Sequence, residues 1–178
     1  MKIRLASPLT IDSIVDGPGL RTVIWAQGCN HKCKGCHNPS THDFSGGFKV
    51  DVKDIIDEIK KLKLQRGITL SGGEPFEQPD PLIKICKEAK KLGLDIWAYS
   101  GYTFEQLIDT KNPRYFKWKS LLENIDTLVD GKFIESKKSL LLKFRGSSNQ
   151  RIIDVQKSLK LKKAVLHLEY IENMDIAK

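Results

Sequence analysis

The chain has 178 residues, 40% of them apolar and 29% charged, which fits one globular domain and excludes disordered and collagen-like classes. At this length roughly 70% of the unfolded chain's surface is buried on folding, so neither a disulfide nor a metal is needed for stability alone. The formal charge of +8, from 30 Lys and Arg against 22 Asp and Glu, raises the question of nucleic acid, but Lys60, Lys61, Lys63, Lys84, Lys87, Lys90, Lys91, Lys160, Lys162 and Lys163 fall mostly on helix-like stretches and read as solvated faces, with an acidic partner as the minor alternative.

In chain order, the opening MKIRLASPLTIDS has no apolar run of leader length, and no stretch approaches the ~20 apolar residues that cross a bilayer. No membrane and no nucleic acid is expected as a partner, and a cytoplasmic location is. Leu20 to Gln27 is the first strand candidate, rich in Val, Ile and Trp. Asp51 can cap a helix whose Val52, Ile55, Ile56, Ile59 and Leu62 share one face. Gly67 to Ser71 reads as a buried strand. The following helix is punctuated by Asp80 as N-cap, Pro81 at its first position and Gly93 past its end. Its inward face is Leu82, Ile85, Cys86, Ala89 and Leu92, which makes Cys86 a core residue rather than a ligand.

Leu94 to Tyr99 is a third strand, and Thr103 with Gln106 forms a capping box. Trp118, Leu121, Leu122 and Ile125 share a helical face before a fourth strand at Thr127 to Asp130. Leu140 to Phe144, Arg151 to Val155 and Ala164 to Tyr170 are weaker strand candidates, with a short helix between the last two. Strand and helix alternating at roughly 30 residues predict an α/β fold with a mainly parallel open sheet and flanking helices, whose sites lie beyond the carboxyl ends of the strands. A closed (βα) barrel typically takes ~250 residues, so the expected form is a partial TIM-like barrel, with a gap wide enough for a peptide.

Three of the four cysteines, Cys29, Cys33 and Cys36, form C-x3-C-x2-C directly after the first strand, while Cys86 stands apart. Such clustering points to metal ligation in a reducing compartment rather than to a disulfide framework. Three thiolates can hold three corners of a [4Fe–4S] cluster and leave one iron open. Equally, a Cys3His zinc site could be completed by His31, His37 or His42. One unit later, Ser71-Gly72-Gly73-Glu74-Pro75 follows a strand. Its glycines let backbone approach a ligand closely, and Glu74 offers a carboxylate to an ammonium.

The two motifs together resemble the radical S-adenosylmethionine superfamily. Asp16 to Arg21 (DGPGLR), Gly28 to Cys36 with His37, Asn38 and Pro39, and Ser71 to Pro75 are similar to the glycyl-radical-enzyme activases. Leu128 to Phe133 (LVDGKF) and Phe144 to Ile153 (FRGSSNQRII) are similar to the branch acting on the anaerobic ribonucleoside-triphosphate reductase. The resemblance implies one radical SAM domain over 1–178. It implies cluster ligands Cys29, Cys33 and Cys36, cofactor contacts from Gly35, Cys36 and His37, and a methionine subsite at Gly72, Gly73 and Glu74. Ser100 is implied for the ribose or carboxylate, and Asp130 and Lys132 resemble a D-x-K element in which the lysine binds the cofactor carboxylate. Arg145, Ser147 and Asn149 are further implied contacts.

The implied cofactors are a [4Fe–4S] cluster and S-adenosylmethionine. The implied partners are the reductase, as protein substrate, and a flavodoxin- or ferredoxin-like electron donor. Reductive cleavage of the bound sulfonium would yield a 5′-deoxyadenosyl radical that abstracts hydrogen from a glycine of the reductase, with no acid or base supplied by this chain. One departure is visible. Formate-lyase-type activases carry an acidic residue shortly before the glycine at the third strand end, whereas Trp97, Ala98, Tyr99 and Ser100 precede Gly101 here.

Overall fold

A computed structural model describes residues 1–170; the last eight residues of the expected 1–178 domain lie outside them. The strands are β1 (Lys2–Leu5), β2 (Thr10–Ser13), β3 (Arg21–Ala26), β4 (Phe48–Asp51), β5 (Gly67–Gly72), β6 (Asp95–Tyr99), β7 (Thr127–Asp130) and β8 (Arg151–Asp154). They form one sheet in the order β4-β1-β3-β5-β6-β7-β8, with β2 also paired to β3. The central block β3, β5, β6, β7 is parallel, as the strand–helix alternation predicts. Every other strand pairing is antiparallel. The sheet is thus a mixed, open one, with β4 and β8 as unjoined ends, and it is not closed into a barrel.

The helices are α1 (Val52–Ile59), α2 (Pro79–Lys91), α3 (Phe104–Leu107), α4 (Tyr115–Leu122) and α5 (Val155–Leu161). Alternation along the strands sorts side chains between two faces. Ile68 and Leu70 of β5, Ile96 and Ala98 of β6 and Leu128 of β7 join Ile55, Leu82, Ile85, Cys86, Phe104, Trp118 and Leu121 in the main helix-side core. The opposite face carries Trp97, Val129 and Ile152, covered by Phe144 and Tyr170. Arg21 is also fully buried. Its guanidinium donates to Thr69 Oγ1 at 2.8 Å and pairs with the half-buried Asp95 at Oδ1, 2.5 Å away, which ties the DGPGLR segment to β5 and β6.

Several local expectations change. β1, β2 and β4 lacked a sequence signal because each is short and partly exposed, without the continuous burial that marks the equally short β7. α2 begins at Pro79 behind Gln78, earlier than the predicted Asp80 cap; Asp80 lies in the first turn and reaches Lys117 Nζ at 2.5 Å. Asp51 holds the N-cap position of α1 but makes no side-chain cap bond. Leu92 is 48% exposed because the helix has ended before it. The predicted strand at Leu140 to Phe144 is absent: Leu140 and Leu141 are exposed, Leu142 is buried, and Phe144, which packs against Trp97, takes a φ of 56°. Ala164 to Tyr170 is likewise not a strand, contributing a single bridge, Ile153 to Leu166, and then a 3-10 turn. The capping box at Thr103 and Gln106 forms as predicted, though α3 is one turn long.

Candidate functional site

The registers Ala26↔Gly72, Leu70↔Ala98 and Tyr99↔Val129 bring the carboxyl ends of the four parallel strands to similar heights. Over them opens a cleft of about 690 Å³, within the usual range for small-molecule sites. Cys29, Cys33, Cys36 and His37 line it from the loop after β3, Gly72 and Gly73 from the turn after β5, and Ser100 and Gly101 from the end of β6. Phe133, Phe144, Arg145 and Gln150 close one side, and Val15 and Asp16 another.

The cysteine loop holds its thiols at graded depths. Cys29 is buried, whereas Cys33 and Cys36 are half-buried, and none is in a disulfide. Burial pushes the Cys29 thiol up to about 11, and it raises Cys33 as well. A thiol so placed stays protonated unless a cation compensates its charge. The sulfurs also receive backbone donors, the Phe133 N–H at Cys33 and the Asn38 N–H at Cys36, the latter at 3.4 Å. Such bonds stabilise cluster thiolates. Among the described residues no three His, Cys, Asp or Glu side chains are grouped around a single metal-ion position. All three thiols nevertheless line one cleft.

The Gly72-Gly73 turn is shaped by close backbone approach. Gly72 has φ +100°, and a Cβ there would lie 2.5 Å from Ala26 O; one on Gly73 would lie 2.5 Å from Gly28 O. The Gly73 N–H donates to Ala26 O at 2.7 Å and the Glu74 N–H to Gly28 O at 2.8 Å. These amides are therefore spent on joining the β5 turn to the cysteine loop. What the turn can offer an ammonium group is carbonyl oxygen.

Glu74 is placed differently from the expectation of a ligand-facing carboxylate. Its side chain is fully buried and accepts from Phe76 N at 3.0 Å, Gly101 N at 2.8 Å, Ser100 Oγ at 3.0 Å and His31 Nε2 at 2.8 Å. Four donors from three segments converge on one carboxylate, which braces the wall. His31 makes that brace reach the cysteine loop; its ring lies edge-on to Tyr102 at 4.4 Å. Gly101 has no room for a side chain there, since a Cβ would sit 2.3 Å from His31 Cδ2. The sequence reading offers His31 only as an alternative zinc ligand, and its position between Cys29 and Cys33 was the available signal for a place at this site.

The remaining predicted residues divide. Ser100 and Arg145 line the cleft, Ser100 with its hydroxyl turned to Glu74. Gly35 packs against Glu135, with a Cβ there falling 2.9 Å from Oε1. Asp130 is buried and engaged elsewhere, accepting from Phe104 N at 2.7 Å and pairing with Arg151 Nη2 at 2.5 Å. Lys132 is exposed rather than buried at the sheet end, and its charge acts on Cys33. Ser147 accepts from Ile134 N at 3.2 Å, and Asn149 donates to Lys132 O at 2.8 Å. The neighbouring Gln150 lines the cleft itself while it accepts from Gly146 N at 2.9 Å and donates to Gly131 O at 3.0 Å. Sequence reasoning passed over Gln150 because an uncharged side chain inside a longer motif carries no chemical signal of its own.

Residues 15–153 match the family described as a 4Fe-4S single cluster domain. The chain is 38% identical over 148 residues to the anaerobic ribonucleoside-triphosphate reductase-activating protein of Vibrio cholerae, covering 78% of this chain and 90% of that protein. It is 36% identical over 146 residues to the protein of that name from Escherichia coli K12, covering 77% and 90%. The chain belongs to the anaerobic ribonucleoside-triphosphate reductase-activating protein family. The family extends to Enterobacteria phage T4, whose protein is 36% identical over 78% of this chain and 86% of its own. Among solved structures, QueE from Escherichia coli overlays with a TM-score of 0.48 at 16% identity, over 73% of this chain and 71% of that one. Membership brings a [4Fe–4S] cluster to this chain, and the three free thiols that line the cleft are consistent with holding it.

Proposed function

We propose that this protein activates the anaerobic ribonucleoside-triphosphate reductase as a radical S-adenosylmethionine enzyme comprising one domain over 1–178. The observation that carries the reading is the shared cleft: three free thiols and the Gly72-Gly73 turn face one space over the ends of four parallel strands. When bound, the [4Fe–4S] group and S-adenosylmethionine supply reductive C–S cleavage and a 5′-deoxyadenosyl radical that takes hydrogen from a glycine of the reductase.

The chain's own contribution is binding, orientation and exclusion of water. Cys29, Cys33 and Cys36 hold the cluster. Carbonyl oxygens of Gly72 and Gly73 receive the ammonium of the methionine moiety. Ser100 and Glu74 set the height of the β6 end and of the cysteine loop, so Glu74 serves as a positioning residue. His37, Gly35, Arg145 and Gln150 shape the remaining cofactor wall. Lys132 supplies positive charge at the Cys33 side, while Asp130, Ser147 and Asn149 hold the 130–150 segment in place. Helices on one face, with the cleft bordered by the other, support reading the sheet as an arc of a (βα) barrel. The open sheet leaves room for a peptide to enter. A reducing compartment, the cytoplasm, and a one-electron protein donor of flavodoxin or ferredoxin type complete the reading.

Anaerobic reconstitution with iron and sulfide, followed by dithionite and S-adenosylmethionine, is expected to yield 5′-deoxyadenosine. Adding the reductase is expected to give a glycyl radical by electron paramagnetic resonance. No 5′-deoxyadenosine from a fully loaded protein refutes the chemistry. Its formation without any radical on the reductase refutes the choice of substrate.

A further inference from the structure

The basic charge of the chain is unevenly neutralised. On the helices, several lysines are matched by nearby carboxylates, Lys53 with Asp57, Lys61 with Glu58, Lys90 with Asp126 and Lys91 with Glu88, while Lys84 and Lys87 keep the α2 face basic at a distance from the cysteines. A second cleft of about 680 Å³ between α1 and α2 is bordered by several of these pairs and carries no thiol or glycine turn. The rim beside Cys33 and Cys36 differs. There Lys32 and Lys34 of the cysteine loop and Lys132, Lys137 and Lys138 of the 131–138 segment share a single carboxylate within those two segments, Glu135, and all five are exposed.

The two segments form one surface. Lys34 Nζ lies 3.4 Å from Glu135 Oε2, the His37 and Phe133 rings are 5.0 Å apart, and the Phe133 N–H meets Cys33. The rim also lies where the cluster site approaches solvent, since Cys33 and Cys36 are half-buried while Cys29 is enclosed on the Glu74 side. The proposed function puts S-adenosylmethionine on the Gly72-Gly73 and Ser100 side of the same cleft, and elsewhere the lining carries Asp16 rather than lysine.

We propose that the lysine rim formed by residues 32–34 and 132–138 is the docking surface for an acidic one-electron donor protein. The inference rests on the cluster assignment above. Charge complementarity suits this partner: redox encounters are small, short-lived and guided by opposite charge more than by buried area. One electron leaves the donor's reduced flavin, which is oxidised by one electron, and is gained by the cluster; no bond forms or breaks.

The test titrates the cluster-loaded protein with an oxidised, acidic flavodoxin-type protein. Lys137→Glu/Lys138→Glu is compared with Lys84→Glu/Lys87→Glu, the same charge change on the α2 face. The rim pair is expected to raise Kd about tenfold at low salt and the control pair less than about twofold, with the difference shrinking near 0.3 M salt. The rate of cluster reduction by the reduced donor is expected to fall with the affinity. Reduction by photochemically generated deazaflavin, and 5′-deoxyadenosine formed with it, are expected to stay at wild-type level in both. An unchanged Kd in the rim pair, equal weakening in both pairs, or loss of affinity for the reductase with donor affinity intact overturns the assignment. Failure to form 5′-deoxyadenosine in wild type with deazaflavin would instead count against the proposed function, so the two failures are distinguishable.

Discussion

Replacing Glu74 by Gln keeps the shape of the brace and removes one of its two acceptor oxygens. Oε1 accepts from Phe76 N at 3.0 Å and Oε2 from Gly101 N at 2.8 Å. Either orientation of the amide therefore aims its NH2 at a backbone N–H. A buried donor left unmade costs about 1–3 kcal/mol, and the weakening of the other, formerly charge-assisted bonds adds roughly 1 kcal/mol. Relief of the carboxylate's own desolvation acts in the opposite sense, but the four donors that satisfy it keep the net sign unfavourable. The expected loss is about 2–4 kcal/mol, or a Tm lower by roughly 10 °C at this chain length. Urea unfolding of the reduced, metal-free protein measures it without any cofactor. A Glu74→Gln variant within about 0.5 kcal/mol of wild type would show that the carboxylate is not the brace described. That result would return Glu74 to the role of a direct ligand contact.

Gly101→Ala forces a methyl to 2.3 Å from the His31 ring, so iron retention after anaerobic gel filtration should fall well below wild type; full retention would show that the His31 packing is dispensable. Alanine at Cys29, Cys33 or Cys36 should abolish the [4Fe–4S] absorbance, whereas Cys86→Ala should keep it and lose about 1–2 kcal/mol of stability from the core. Burial pushes the Cys86 thiol up to about 12, so the fully enclosed group stays neutral and iodoacetamide at pH 8 should leave it unlabelled in the native protein. The neutral buried thiol contributes stability that is complete below pH 9 and declines as pH rises from there towards 12. Asp130→Asn should destabilise by about 3 kcal/mol through its broken pair with Arg151, read by thermal unfolding; an unchanged Tm would refute the structural role of that carboxylate.

Local pattern and spacing were enough to find much of this protein. The parallel block β3, β5, β6, β7 announced itself through apolar runs separated by helical periodicity, because those strands are buried on both faces. The capping box at Thr103 and the core position of Cys86 follow from rules that act within one turn of chain. The cysteine spacing and the Ser71–Pro75 turn are likewise contiguous, which is why a cluster and its cofactor could be read from the residues that carry the family resemblance.

Tertiary structure decided what contiguity cannot. Whether Glu74 faces a ligand or the protein depends on His31, Ser100 and Gly101, which meet it from two other loops. Asp130 looks like part of a site beside Lys132 in the sequence, yet Arg151 and Phe104 N, both more than 20 residues away, claim its carboxylate. Short antiparallel strands β1 and β2 exist because β3 offers them an edge, and β4 because β1 does, not because their own four residues prefer it. The charge of +8 is visible in the composition, but its concentration beside Cys33 and Cys36 arises only when residues a hundred positions apart fold onto one rim. Sequence fixes which groups are available through local chemistry, and long-range packing fixes which of them are already spoken for.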